Sequence, residues 1–176
     1  MEIVNGERLV LGTCYYPEHW DESLWRDDLR RMLENGIEVI RIAEFAWSKI
    51  ERYEGVFNYD FFDRFLDAAA EMGMKVIFCT PTATPPAWLT EKYPEVLNAT
   101  MDGVLYRHGG RRHYNYNSPK YQELTRIIVE KSASHYAKHP AIIGWQIDNE
   151  INCEKNEFYS ESDTIAFRKF LMEKYG

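Results

Sequence analysis

The connections in this chain are lopsided, and that asymmetry limits its fold more than any other feature. Apolar runs that read as strands alternate with stretches of helical periodicity. The turns from helix into strand are tiny: Asn35-Gly36, Gly73 and His139-Pro140. The segments from strand into helix are long and crowded with Trp, Tyr, Arg and Glu. Alternating strands and helices imply a parallel sheet with right-handed crossovers. In (β/α) barrels the strand-to-helix loops build the working face while the opposite turns stay short. An open doubly wound sheet shares that polarity, but no glycine-rich phosphate loop follows any strand here, which argues against its nucleotide-binding form.

Taken in order, residues 9–11 begin a short buried strand that ends near Gly12-Thr13-Cys14. Asp21 is placed to cap a helix carrying Leu24, Trp25, Leu29, Met32 and Leu33 at helical spacing, closed by Asn35-Gly36. Residues 37–42 form the second strand, and residues 43–59 a long connection with Glu44, Trp47 and Glu54-Gly55. Phe61, Phe62, Phe65, Leu66 and Ala69 make the stripe of a helix ending at Gly73, and residues 74–79 the third strand. In the excursion over 80–117, Pro81, Pro85, Pro86 and Pro94 forbid a continuous helix, though 87–92 suits a short one. Ser118-Pro119 opens a helix to about Lys138, with Tyr121, Leu124, Ile127 and Ile128 inward. The fourth strand starts at Ala141, and a last helix runs from about Ser162 to Tyr175.

That is four βα units with no composition shift between them. A full barrel takes about 250 residues for eight units, and this chain has 176. The predicted fold class is α/β, the N-terminal half of a (β/α)8 TIM barrel, with 1–176 as a single domain.

A net charge of -7 with scattered Lys and Arg predicts no nucleic-acid partner, since the basic cluster over 107–113 is short and rich in glycine. No apolar run approaches the roughly 18 residues of a membrane span, so no membrane association is expected. The first eight residues lack the basic and apolar regions of a signal peptide, and Cys14, Cys79 and Cys153 lie far apart without a CxxC pattern. The expected location is the cytoplasm. The high aromatic content, 15%, serves either a core or a platform for sugar rings.

The chemistry concentrates in Ala141-Ile142-Ile143-Gly144-Trp145-Gln146-Ile147-Asp148-Asn149-Glu150. Its first seven residues suit a strand buried on both faces of a parallel sheet. Asp148, Asn149 and Glu150 then arrive together where the strand emerges, although Asp and Asn are depleted in strands. A carboxylic acid beside an amide at a strand's carboxyl end suits acid catalysis next to a bound hydroxyl. A strand stop followed by a turn is the plainer alternative.

Five motifs in order resemble one family. They are Gly12-Thr13-Cys14-Tyr15-Tyr16-Pro17-Glu18-His19-Trp20, Arg41-Ile42-Ala43-Glu44-Phe45-Ala46-Trp47, Thr80-Pro81-Thr82-Ala83-Thr84-Pro85-Pro86-Ala87-Trp88-Leu89, Gly109-Gly110-Arg111-Arg112-His113-Tyr114 and Gln146-Ile147-Asp148-Asn149-Glu150. Together they look like glycoside hydrolase family 42, the β-galactosidases built on a TIM barrel. The resemblance implies hydrolysis of terminal β-D-galactosyl residues with retention and without a cofactor. Glu150 matches the general acid/base. Asn149 matches the amide at the sugar 2-hydroxyl, and Arg111 the arginine that binds the galactosyl unit. Arg41 and Glu44 match pocket residues, Arg41 being the candidate substrate contact; a plain Arg41–Glu44 salt bridge is the alternative. His19, His108 and His113 lack metal-ligand spacing and are read as supporting or surface residues.

Two departures matter. Where some family members carry a four-cysteine zinc site, this chain has Asn115 and, after Glu150, only Cys153, so no metal is expected. The family's nucleophile is a glutamate on a much later strand, so the chain is expected to be a fragment, inactive alone. Half a barrel leaves its first and fourth strands unpaired, which predicts a partner: the missing C-terminal half or a homo-oligomer. A non-catalytic sugar-binding or assembly module is the alternative to a β-galactoside hydrolase.

Overall fold

The computed structural model describes residues 9–151 and 157–176. Four parallel strands form one sheet in chain order: β1 (Leu11–Cys14), β2 (Ile37–Ile42), β3 (Lys75–Cys79) and β4 (Ile142–Gln146). The crossovers are helices α1 (Trp25–Glu34), α2 (Asp60–Glu71) and α3 (Pro119–Tyr136), and α4 (Glu161–Tyr175) follows β4. Register brings the strand ends level: Cys14 pairs with Arg41, Ile42 with Phe78, and Cys79 with Gln146. Side chains from the loops after all four strands therefore meet at one end of the sheet.

The core lies between the sheet and its helices. Ile40, Ile42, Val76 and Phe78 of the central strands are fully buried. Phe78 meets Phe62 of α2 and Tyr136 of α3 at centroid distances of 5.7 and 4.9 Å, while Trp25 of α1 stands edge-on to Phe61 and Phe65. Such aromatic pairs add roughly 0.5–1.5 kcal/mol each beyond area burial.

The helix boundaries follow local chemistry. Asp21 does cap, but a 3-10 turn: its carboxylate accepts from Ser23 N at 2.9 Å ahead of Glu22–Leu24, and the α-helix starts at Trp25. Gly36 takes φ 79° after α1, the left-handed conformation that glycine adopts without strain. Ser118 caps α3 through Tyr121 N, with Pro119 in the first turn, and the helix stops at Tyr136, two residues short of the sequence expectation.

Two expectations about burial are corrected. β1 is exposed along its whole length and β4 is only half-buried throughout, whereas both read as buried strands. They are the edges of the four-stranded sheet, so each has a ladder neighbour on one side only.

The long connections have structure of their own. Residues 43–59 hold a helical turn, Trp47–Ile50, and a hairpin of Glu51–Tyr53 with Val56–Phe57. The buried Glu51 carboxylate fastens it, accepting from Trp47 Nε1 and from Gly55 N, both at 2.7 Å. Residues 80–117 hold the expected Ala87–Lys92 helix and a finger made by the Leu97–Tyr114 and Ala99–Leu105 bridges.

Candidate active site at the carboxyl ends of the strands

Arg41 points from the end of β2 into a closed set of acceptors. Its Nη2 donates to Glu44 Oε1 at 2.7 Å and to Cys14 Sγ at 3.0 Å, and its Nη1 to Gln146 Oε1 at 2.8 Å. Glu44, 1% exposed, also accepts from the Tyr16 hydroxyl at 2.6 Å, and its second oxygen faces the Cys79 thiol at 3.8 Å. Burial and the adjoining carboxylate push the Tyr16 hydroxyl up to about 12, and burial with the same carboxylate raises the Cys79 thiol to about 12. Both are therefore neutral donors to Glu44 at neutral pH. Ala43, immediately before Glu44, sits at φ 71°, strained for a residue with a Cβ. The loop turns there to aim Glu44 back at Arg41.

The β4 loop is strained at two further positions, Asp148 at φ 53° and Glu150 at φ 46°. Asp148 is buried and holds the loop from inside. Its Oδ2 accepts from Thr82 Oγ1 at 2.7 Å, and its Oδ1 from Asn149 N at 2.7 Å and Arg112 Nη1 at 3.1 Å. Its own N–H donates to Thr80 Oγ1 at 2.7 Å. Arg112, 1% exposed and at φ 60°, also donates to the Tyr114 and Tyr116 hydroxyls at 2.6 and 2.5 Å. Strained conformations that cluster like this persist only where surrounding contacts over-determine them, and such clusters gather at functional sites.

The neighbours of that buried pair face out. Arg111 forms an ion pair with Glu150 Oε2, and its guanidinium lies 5.7 Å from the Phe45 ring, which stacks on Tyr16. Consecutive arginines of one loop thus grip two acids of the next: Arg112 holds Asp148 inside, and Arg111 meets Glu150 at the surface. Asn149, between the acids, is 8% exposed, and its Oδ1 accepts from Gln146 Nε2 at 3.3 Å.

The four sequence-predicted residues therefore gather at one end of the sheet. Arg111 and Glu150 touch, and Arg41 and Asn149 are joined through Gln146. The Arg41–Glu44 salt bridge foreseen as an alternative is present. His113 is buried with Nδ1 on the Gly110 carbonyl, and His108 Nδ1 meets Thr90 Oγ1 at 2.9 Å. Asn115 is buried against Ser160 and Asp163 at the start of α4; Cys153 lies outside the described residues. Sequence reasoning missed Arg112 and Gln146. Arg112 sits inside what reads as a short exposed basic cluster, and Gln146 inside what reads as plain strand.

Four parallel βα units whose strand ends collect acid, amide and guanidinium groups make the N-terminal half of a (β/α)8 barrel. Residues 14–176 match the profile of glycoside hydrolase family 42, described as β-galactosidase, and the chain belongs to that family. It is 44% identical over 168 residues to β-galactosidase BgaA of a Thermus species, covering 95% of this chain and 26% of that protein. It is 41% identical over 167 residues to β-galactosidase Bga of Halorubrum lacusprofundi, covering 94% and 24%. The crystal structure of the β-galactosidase from the psychrophilic Marinomonas ef1 superposes with a TM-score of 0.92 at 44% identity, covering 96% of this chain and 26% of that one. The chain spans about a quarter of the length of these relatives. Among the described residues, no helix is long and apolar enough to cross a membrane.

Proposed function

We propose that the chain supplies the acid/base half of a retaining β-galactosidase active site, acting on terminal non-reducing β-D-galactosyl residues. The carrying observation is the Arg111–Glu150 ion pair at the mouth end of β4, beside the buried Asn149 amide. Glu150 gives its proton to the leaving oxygen and later activates water. Asn149 hydrogen-bonds the sugar 2-hydroxyl, a contact that strengthens in the transition state, and Arg111 and Arg41 bind the galactosyl unit. Retention needs a second carboxylate about 5–5.5 Å from the acid. Glu44 is unsuited to attack, because Arg41, Tyr16 and Cys79 occupy both of its oxygens.

In this reading 1–176 is one domain, the first half of a catalytic barrel, and the nucleophile comes from a complementary half. The free thiols Cys14 and Cys79 fit a cytoplasmic setting. The test joins this chain to the remaining three quarters of the Thermus relative and follows nitrophenyl β-galactoside hydrolysis. The 176-residue chain alone should give none and the hybrid should turn over. Glu150→Gln in the hybrid should lower the rate by about 10²–10⁴-fold. An active hybrid indifferent to Glu150→Gln would overturn the assignment.

A further inference from the structure

Gln146 stands between two of the proposed sugar-binding residues, and its own orientation admits no ambiguity. Arg41 can only donate, so the atom 2.8 Å from Arg41 Nη1 is the Gln146 oxygen. The Asp148 carbonyl can only accept, so the atom 2.9 Å from it is the Gln146 nitrogen. That nitrogen also reaches Asn149 at 3.3 Å and requires an acceptor there, which fixes Oδ1 on the inner side. The Asn149 Nδ2 is left on the other side, with no hydrogen bond to any described residue, and it is not among the fully buried atoms, so it is open to a ligand.

We propose that Gln146 is a positioning residue that turns the Asn149 amide nitrogen toward a sugar hydroxyl oxygen. This rests on the galactoside reading of the site and deepens it. The three groups form a one-way donor relay, Arg41 to Gln146 to Asn149 to sugar. The guanidinium polarises the Gln146 amide, the polarised amide donates more strongly to Asn149 Oδ1, and Asn149 Nδ2 becomes a better donor in turn. The hydroxyl at its end is selected as an acceptor. Arg41 thereby acts on the sugar at a distance as well as through any direct contact.

The test uses the 176-residue chain, labelled with ¹⁵N, and reads the Asn149 side-chain amide, assigned by its loss in Asn149→Asp. Methyl β-D-galactopyranoside and its 2-deoxy analogue are the probes. In the parent, only the 2-hydroxy sugar should shift the Asn149 amide, binding about fivefold tighter than the analogue, as for one neutral hydrogen bond. Gln146→Met removes both ends of the relay. Gln146→Glu keeps the acceptor for Arg41 and draws Asn149 Nδ2 inward onto the new carboxylate. Both also lose the donor to the Asp148 carbonyl, so both should bring the preference close to onefold with the backbone spectrum retained outside residues 146–150. Without sugar, Gln146→Glu should move one Asn149 amide proton downfield. An Asn149 amide unchanged in Gln146→Glu overturns the positioning role whatever the sugars do, as does an intact fivefold preference in both variants. A parent whose Asn149 amide ignores both sugars, yet moves in Gln146→Glu, sinks the galactoside reading and leaves the orientation standing.

Discussion

Replacing Asp148 by Asn tests whether the buried Arg112–Asp148 pair holds the β4 loop. Asparagine tolerates positive φ, so the backbone at 53° is not further strained. It also keeps an oxygen for Asn149 N and Arg112, and Thr82 can reverse its hydroxyl to accept from the new amide. What disappears is the charge that compensates a guanidinium with 1% side-chain exposure. The two tyrosine hydroxyls remain on Arg112 but carry no charge, and its Nε and Nη2 have no hydrogen-bond partner among the described residues. Removing one partner of a buried pair costs about 3–5 kcal/mol. Since asparagine retains the hydrogen bonds, the lower end applies, about 3 kcal/mol. With a urea m-value near 2 kcal/mol/M, the midpoint should fall by about 1.5 M, a large share of the 5–15 kcal/mol typical of a domain. Tryptophan fluorescence in urea reads it directly. Arg112→Met combined with Asp148→Asn should recover much of the loss, because no unpaired charge is then buried and asparagine still fits the backbone at 148. A cost below about 1 kcal/mol for Asp148→Asn, or a double variant no better than the single, would refute the reasoning.

Three further outcomes are expected. Burial holds His113 below the ordinary imidazole value, with the Gly110 carbonyl only partly opposing it. The unfolded chain then binds the extra proton first, so this contribution is full above about pH 6.5 and is lost as pH falls, at no more than about 1.4 kcal/mol per unit. Urea titrations should show the parent weakening more steeply than His113→Gln between pH 7 and 5.5; parallel slopes would contradict this, and the comparison cancels the opposite drift from Glu18 and Glu51, whose carboxyls burial raises. Ser118→Ala removes the cap of the longest helix and should cost about 1 kcal/mol, visible as a lower midpoint in thermal circular dichroism. The edge strand β1 should promote association, so sedimentation velocity of the 176-residue chain should rise with concentration, less so for Leu11→Lys; a concentration-independent monomer would count against it.

Where local chemistry decides an element, the chain was readable. β2 and the Ala87–Lys92 helix have the bounds that residue pattern indicates, because glycine closes the preceding helix in one case and prolines flank the other. The Asp21 cap was legible, but a 3-10 turn and an α-helix satisfy the same carboxylate, so pattern alone does not choose between them. The hairpin over 51–57 was not legible, since its strands are three and two residues long and hang on a buried glutamate. The left-handed residues Ala43, Arg112, Asp148 and Glu150 carry no common signal. Alanine, arginine and glutamate do not favour that conformation, so only tertiary contacts put them there.

Burial was misjudged for the same reason. The apolar runs at residues 9–11 and 141–147 suit strands buried on both faces, yet β1 is exposed and β4 half-buried, because each is an edge of the sheet, as half a barrel requires. Helix α4 makes the mismatch plainer: Ile165, Phe167, Phe170 and Met172, on opposite sides of it, are all exposed, while Asn115, Asn117 and the Ser160–Asp163 capping box fix where that helix begins. Polar contacts thus seat α4 before any apolar surface covers it. The site is built likewise. Thr82, Arg112 and Gln146 hold Asp148 and Asn149, and Arg111 meets Glu150, all from within these four units, so the β4 loop is seated without help from any further strand. That separation predicts which variants matter where: on the proposed reading, changes at Gln146 or Arg112 should disturb the Asn149–Glu150 loop in the 176-residue chain itself, before any complementary half is added.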